Sequence, residues 1–214
     1  MGFIINSVAP QYREMNDRPL DCHDLFALVS YTPEPLRSWL VQLRELLAIQ
    51  ANSEPHITIL PPRPLTLPLD EAQEKIASVL DGCPRFEIEL SGVRSFAGTN
   101  VLYLDVSDGA NTLRRLHAEL NAGEFCFQED FDFHPHVTIG GPVPSAQMEE
   151  VSAKAAEAWQ NSLCPARFAI EEISLLSVQG NGGRGAWRRL WTHKLNGRVI
   201  GPEQFRSAAT SRTF

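Results

Sequence analysis

An α+β fold of two pseudo-symmetric lobes, each an antiparallel sheet with helices on its outer face and a cleft between them, is predicted by three observations. Apolar runs of strand length alternate with segments of helical periodicity. The order of these segments repeats once along the chain. A four-residue motif, His-apolar-Thr-Ile, stands in each copy, at His56 and again 80 residues later at His136.

The elements follow in order. Residues 1–24 are polar, mixed and without period, and read as an extension. LFALVSY (25–31) is an apolar strand, and Thr32-Pro33 offers an N-cap and a first helical residue. Leu36, Trp39, Leu40, Leu43, Leu46 and Leu47 then recur at helical spacing and form one apolar stripe. HITIL (56–60) is a short strand that Pro61-Pro62 should stop. Asp70 is placed to cap a helix built on Leu69, Ile76, Val79 and Leu80, and FEIEL (86–90) alternates as a half-exposed strand does.

The order then begins again. VLYLDVS (101–107) is a strand, Leu113, Leu116 and Leu120 mark a helix, and HVTIG (136–140) is a strand. Ser145 is placed to cap a helix bearing Met148, Val151 and Trp159, and FAIEEISLLSV (168–178) reads as one long strand. WRRLWTHKL (187–195) closes the series, and residues 196–214 read as a polar tail. The copies span about 25–96 and 101–178, within a single bilobal domain at 25–195. Two copies are too few for a solenoid, so the lobes are expected to face each other with the motif strands beside the seam.

Composition sets limits on function. The 214 residues hold 19 Lys and Arg against 26 Asp and Glu, a net charge of −7 that disfavours long duplex nucleic acid. The charge is uneven, because residues 1–162 sum to −12 and residues 163–214 to +5, with Arg184, Arg188, Arg189 and Lys194 in the basic part. A small anionic ligand therefore fits better than a large one. Cys22, Cys83, Cys126 and Cys164 lie far apart without a C-x-x-C pair, which argues against a structural zinc site or a disulfide framework and for a cytoplasmic protein. The apolar stretches are far short of the ~20 residues that span a bilayer. The N-terminus lacks a basic region, and Asn6 stands where a myristoylation signal carries Ser or Thr.

In a strand of period two, His56 and Thr58 share one face while Ile57 and Ile59 share the other; the same holds for His136, Thr138, Val137 and Ile139. Two imidazoles can supply an acid and a base near neutral pH, and two hydroxyls can donate to the non-bridging oxygens of a phosphodiester. That scheme needs no metal and no cofactor. A single H-x-T occurs freely by chance, but two copies at matching points of a repeat form a site.

These residues resemble the 2H phosphoesterases, a family defined by two H-x-T/S-x motifs in a bilobal fold, and the order of elements agrees from about Leu25 to Leu195. The resemblance implies His56 and His136 as acid and base, with the first-motif histidine protonating the leaving 3′ oxygen, and Thr58 and Thr138 as phosphate ligands. It implies action on a 2′,3′-cyclic phosphate or a related nucleotide or RNA-end phosphodiester; a monomer is expected. Several RNA-acting members carry an Arg shortly after the second motif, where this chain has Gly140-Gly141-Pro142. That departure weakens the case for 2′-5′ RNA ligase activity or RNA end processing without touching the histidines.

Further substrate contacts are expected from Arg63, just past the first motif, and from Arg184 and Trp187 in and after the glycine-rich stretch QGNGGRG; ordinary loop positions are the competing explanation for both. His134 makes an H-P-H pair with His136, but without a third ligand it reads as a supporting histidine rather than part of a metal site. His23, His117 and His193 have no repeat partner and read as structural, and Phe131 and Phe133 belong to the core sooner than to the cleft. Tyr31 and Tyr103, near the ends of the first strands of the two halves, are open to either use. Two other classes stay open: a module that binds a nucleotide or RNA end without turnover, and a metal-dependent hydrolase using His134, His136 and His56.

Overall fold

A computed structural model describes residues 25–51, 53–178 and 187–201. Strands β1 (Leu25–Tyr31) and β2 (His56–Pro64) flank helix α1 (Leu36–Leu46), and α2 (Leu69–Leu80) leads into β3 (Pro84–Ser95). The second series runs β4 (Leu102–Val106), α3 (Ala110–Leu120), β5 (His136–Gly140), α4 (Met148–Gln160), β6 (Arg167–Ile170) and β7 (Glu172–Val178). β8 (Trp187–Lys194) and β9 (Asn196–Ile200) follow.

The strands form one sheet in the order β6-β3-β4-β5-β2-β1-β7-β8, with β9 joined to β3 in parallel and the other pairs antiparallel. That order reads symmetrically about the β5-β2 boundary, where one bridge, Ile57 to Val137, joins the halves. The fold is α+β with a pseudo-twofold seam between the motif strands. The two series interleave. β3 follows the first series but pairs with β4 of the second, and β7 follows the second but pairs with β1 of the first.

Helices cross the seam in the same way. α1 packs against β5 and α3 against β2. Trp39 of α1 meets Trp159 of α4 at 5.4 Å between ring centroids, and Trp159 Nε1 donates to the Ser91 carbonyl of β3 at 3.0 Å. Leu36, Leu40 and Leu43 put the α1 stripe into the core, as their spacing predicts. Leu46, counted in that stripe, is 77% exposed, because the helix ends there and the chain turns away at Leu47.

Several boundaries differ from the sequence reading. β2 continues through Pro61-Pro62 to Pro64, because the ladder with β1 is interrupted between the Phe26 and Leu28 pairings and those prolines owe no hydrogen bond. The run 168–178 breaks at Glu171 into β6 and β7, which serve opposite ends of the sheet. Asn196–Ile200, within the expected polar tail, pairs with β3 as β9, with Ile200 packed against the core and the other four residues exposed. None of Thr32, Asp70 and Ser145 caps a helix: α1, α2 and α4 begin without a side-chain cap, and Thr32 Oγ1 instead bonds the Pro55 carbonyl at 3.2 Å. Phe131 is 78% exposed rather than in the core.

Candidate active site

The β2-β5 bridge fixes the geometry of the motifs. With Ile57 opposite Val137 in an antiparallel pair, His56 stands across from Thr138 and Thr58 across from His136. Ile57, Ile59, Val137 and Ile139 are fully buried on the helix side of the sheet. The four polar side chains occupy the opposite face, half-buried, with the histidines on one diagonal of the square and the threonines on the other. Strand geometry puts the two histidine Cα atoms ~8 Å apart, a separation that a single phosphodiester group can bridge.

Each imidazole is held in the same manner. Nδ1 of His56 lies 2.7 Å from the Glu54 carbonyl, and Nδ1 of His136 lies 2.7 Å from the His134 carbonyl. A carbonyl oxygen only accepts, so each Nδ1 donates and each Nε2 is the atom that takes or gives a proton. Burial pushes both histidines below the usual 6.5, partly offset by these carbonyls. Arg44 lowers His56 further, and charge on His134 or His56 lowers His136. A proton on one histidine thus opposes a proton on the other, which favours one acid beside one base.

Aromatic rings pack around both. The Tyr31 ring meets that of His56 edge-on at 6.2 Å, and Phe96 and Tyr103 approach His136 at 4.9 and 5.3 Å. Phe96 and Tyr103 stack at 4.1 Å. His134 supports this wall from behind, with Nε2 2.9 Å from Asp105 Oδ1, and Asp105 is the ladder partner of His136. Among the described residues no three His, Cys, Asp or Glu side chains converge as a metal site would require.

A cleft of about 480 Å³ opens over this face, lined among others by His56, Thr58, Thr138, Tyr31, Glu54 and Trp187. The cleft thereby brings together His56, Thr58, Thr138 and Trp187, while His136 is absent from its lining and joins them through the β2-β5 register. Arg184 lies outside the described residues. Arg63 is put to a different use: it is 1% exposed and absent from the cleft wall, with Nε on the Pro61 carbonyl at 3.0 Å. Its other nitrogens reach Asn121 Oδ1 at 2.6 Å, the Phe125 carbonyl at 3.0 Å and Glu129 Oε1 at 2.5 Å. The side chain that was expected to reach substrate turns inward because the half-buried Glu129 carboxylate and two oxygens of the loop after α3 claim it.

Arg44 was missed. It is 9% exposed and gives Nε to the Ile139 carbonyl at 2.7 Å, one terminal nitrogen to the Thr138 carbonyl at 2.9 Å and the other to the Ser53 carbonyl at 2.7 Å. One guanidinium therefore ties the second motif strand to the segment that carries the Glu54 carbonyl under His56. The signal was present in the sequence, since Arg44 occupies the position four after Leu40 and eight after Leu36 on the apolar face of α1. His117 does the mirror task for the first motif strand, its Nδ1 donating to the Ile59 carbonyl at 2.8 Å with its ring stacked on Phe133 at 4.0 Å.

Gly140 and Gly141 also have a geometric reason. A Cβ on Gly140 would stand 2.9 Å from the Gln50 carbonyl, and Gly141, at φ +140°, would put one 2.8 Å from the Asn100 oxygen. No side chain fits there, so the absence of an Arg at this point reflects a close approach of three backbone segments.

Comparison with known proteins agrees with this architecture. A Geobacillus kaustophilus protein named "putative phosphoesterase" is 27% identical over 135 residues, 59% of this chain and 74% of that protein. A Staphylococcus saprophyticus protein of the same name is 34% identical over 84 residues, 39% of this chain and 49% of that one. Escherichia coli LigT, solved with 3′-AMP, superposes with a TM-score of 0.59 at 17% identity, covering 81% of this chain and 99% of LigT. A Thermus thermophilus protein gives 0.57 at 19% identity, over 81% of this chain and 99% of its own. These two superpositions speak to fold. The family model described as the 2′-5′ RNA ligase superfamily matches residues 32–182, which takes in both motifs, and the chain belongs to that superfamily of 2H phosphoesterases.

Proposed function

We propose that this protein is a metal-independent phosphoesterase that opens a 2′,3′-cyclic phosphate, or a related phosphodiester of a nucleotide or RNA end, by two-histidine acid and base catalysis. The observation that carries this reading is the square of His56, Thr138, His136 and Thr58 on the cleft face, with both Nδ1 atoms pinned and both Nε2 atoms left to move protons.

In the proposed step one Nε2 accepts a proton from water as its oxygen bonds to phosphorus. The other Nε2 donates its proton to the ribose oxygen as that P–O bond breaks. Thr58 and Thr138 donate to the non-bridging oxygens, where charge grows. The products are a phosphomonoester and a free hydroxyl, and the two imidazoles exchange protons with solvent to restore the starting state. Family resemblance gives His56 the acid role. LigT structures hold 3′-AMP, phosphate, NADP+ and ATP, which supports a nucleotide ligand for this fold.

Turnover of nucleoside 2′,3′-cyclic phosphates in excess EDTA tests the proposal. His56→Ala and His136→Ala should each lower kcat by at least ~10²-fold, each removing a proton carrier and no core volume, with the circular dichroism spectrum and Tm retained. Wild-type rates in either variant, or loss of activity in EDTA, would refute it; ligand bound but never cleaved would make the protein a binding module. No described helix is long and apolar enough to cross a membrane, and we propose a cytoplasmic monomer, to be checked by fractionation and light scattering.

A further inference from the structure

Beyond the motif strands the cleft runs onto the face of β1, β7 and β8, where a cationic cluster stands that the hydrolytic step does not use. Residues directly paired in an antiparallel ladder point to the same face. Leu176 lines the cleft and is paired with Arg189, and Trp187, two residues earlier on the same strand, lines it too. Arg189 therefore projects from the cleft face of β8.

Its guanidinium carbon lies 4.3 Å from the centroid of the Tyr31 ring, and that of Arg37, in the first turn of α1, lies 5.8 Å from the same centroid. Tyr31 lines the cleft with its ring 6.2 Å from the ring of His56. The stack restrains a long side chain that would otherwise sample many rotamers and presents its donor fork beside the site. Arg37 is also pinned, its Nε bonding the Thr32 carbonyl at 2.9 Å, and Glu34 is near enough to feel its charge. On the cleft wall the described carboxylate is that of Glu54, which adjoins His56. Two guanidinium groups held at one ring repel each other, and an anion placed between them and the cleft relieves that repulsion.

We infer that Arg189, stacked on Tyr31 and backed by Arg37, forms a second anion subsite that receives a phosphate group of the substrate other than the one being cleaved. The subsite lies one sugar's reach from the His56 side of the reacting phosphate. This rests on the hydrolytic reading above and narrows it: the preferred substrate class is a nucleotide that carries a 5′-phosphate, or a preceding phosphodiester, in addition to its 2′,3′-cyclic phosphate.

The test compares kcat/KM for adenosine 2′,3′-cyclic phosphate with that for its 5′-phosphorylated form. Wild type should prefer the latter by about tenfold, the scale of one charge-assisted contact. Arg189→Gln should bring the ratio close to one, Arg189→Lys should keep part of it, and Arg115→Gln, on the exposed face of α3, should leave it unchanged. Arg189 is exposed, so its variants fold. A ratio near one in wild type, or one that survives Arg189→Gln, overturns the inference while leaving the hydrolytic reading intact. Calorimetry with adenosine 3′-phosphate and adenosine 3′,5′-bisphosphate examines the subsite apart from turnover. About tenfold tighter binding of the bisphosphate, lost in Arg189→Gln, supports it even if neither cyclic substrate is cleaved; equal affinities refute it.

Discussion

At the scale of single residues the proposed mechanism depends on two atoms, the Nε2 of each histidine, and on the hydroxyls opposite them. The proposed mechanism needs one imidazole protonated and the other neutral in the free protein. Both titrate below 6.5, because burial disfavours the imidazolium, Arg44 opposes charge on His56 and charge on His56 opposes charge on His136, so the singly protonated pair is most populated on the acid side of that value. The profile of kcat/KM should therefore be a bell centred below pH ~6.5, falling through neutrality as the second proton is lost. A bound phosphate anion favours the imidazolium, so the kcat profile should sit at higher pH than that of kcat/KM; rate measurements from pH 4 to 9 check both, and a kcat/KM maximum above pH ~7.5 would contradict the assignment. Thr58→Val keeps the shape and β-branching of the side chain and removes its donor. It should lower kcat by about 10- to 100-fold with a smaller change in KM, because the hydroxyl meets more charge in the transition state than in bound substrate.

At the scale of elements, the two buried arginines show what periodicity reveals and what it hides. Arg44 falls on the core face of α1 by simple counting, and its burial was legible even though its three carbonyl partners were not. Arg63 follows two prolines and reads as a loop residue, yet it is an interior tie between β2 and the segment after α3, whose acceptors lie 58 to 66 residues away. Arg63→Ala should leave Glu129 short of its partner and cost about 3 kcal/mol, a fall in Tm on the order of 10 °C. Thermal unfolding followed by circular dichroism checks this; an unchanged Tm with a raised KM would return Arg63 to the substrate. The same long-range dependence explains the strand errors. A proline pair ends a strand only where the ladder needs its N–H, and a polar tail becomes β9 because the edge of β3 is there to receive it.

At the scale of the whole molecule, the interleaving of the two series makes each half of the chain incomplete. Cut in the turn before β4, the first fragment would hold β3 without β4, and the second would hold β7 without β1; α1 and α3 would lose the motif strands they anchor. Fragments 1–98 and 99–214 should each lack a cooperative thermal transition alone and regain one on mixing; a fragment that unfolds cooperatively by itself would show the halves to be independent. The sequence by itself determined the α+β class, the twofold repeat and the two equivalent motifs at His56 and His136, because strand and helix periods are local and a duplicated motif marks itself. Only the tertiary structure decided which strands each half-sheet contains, that Arg44 lines the cleft while Arg63 is buried away from it, and that Arg189 meets Tyr31 beside His56. Those are outcomes of pairing between segments distant in the chain, where the nearest suitable acceptor, ladder edge or ring selects the partner.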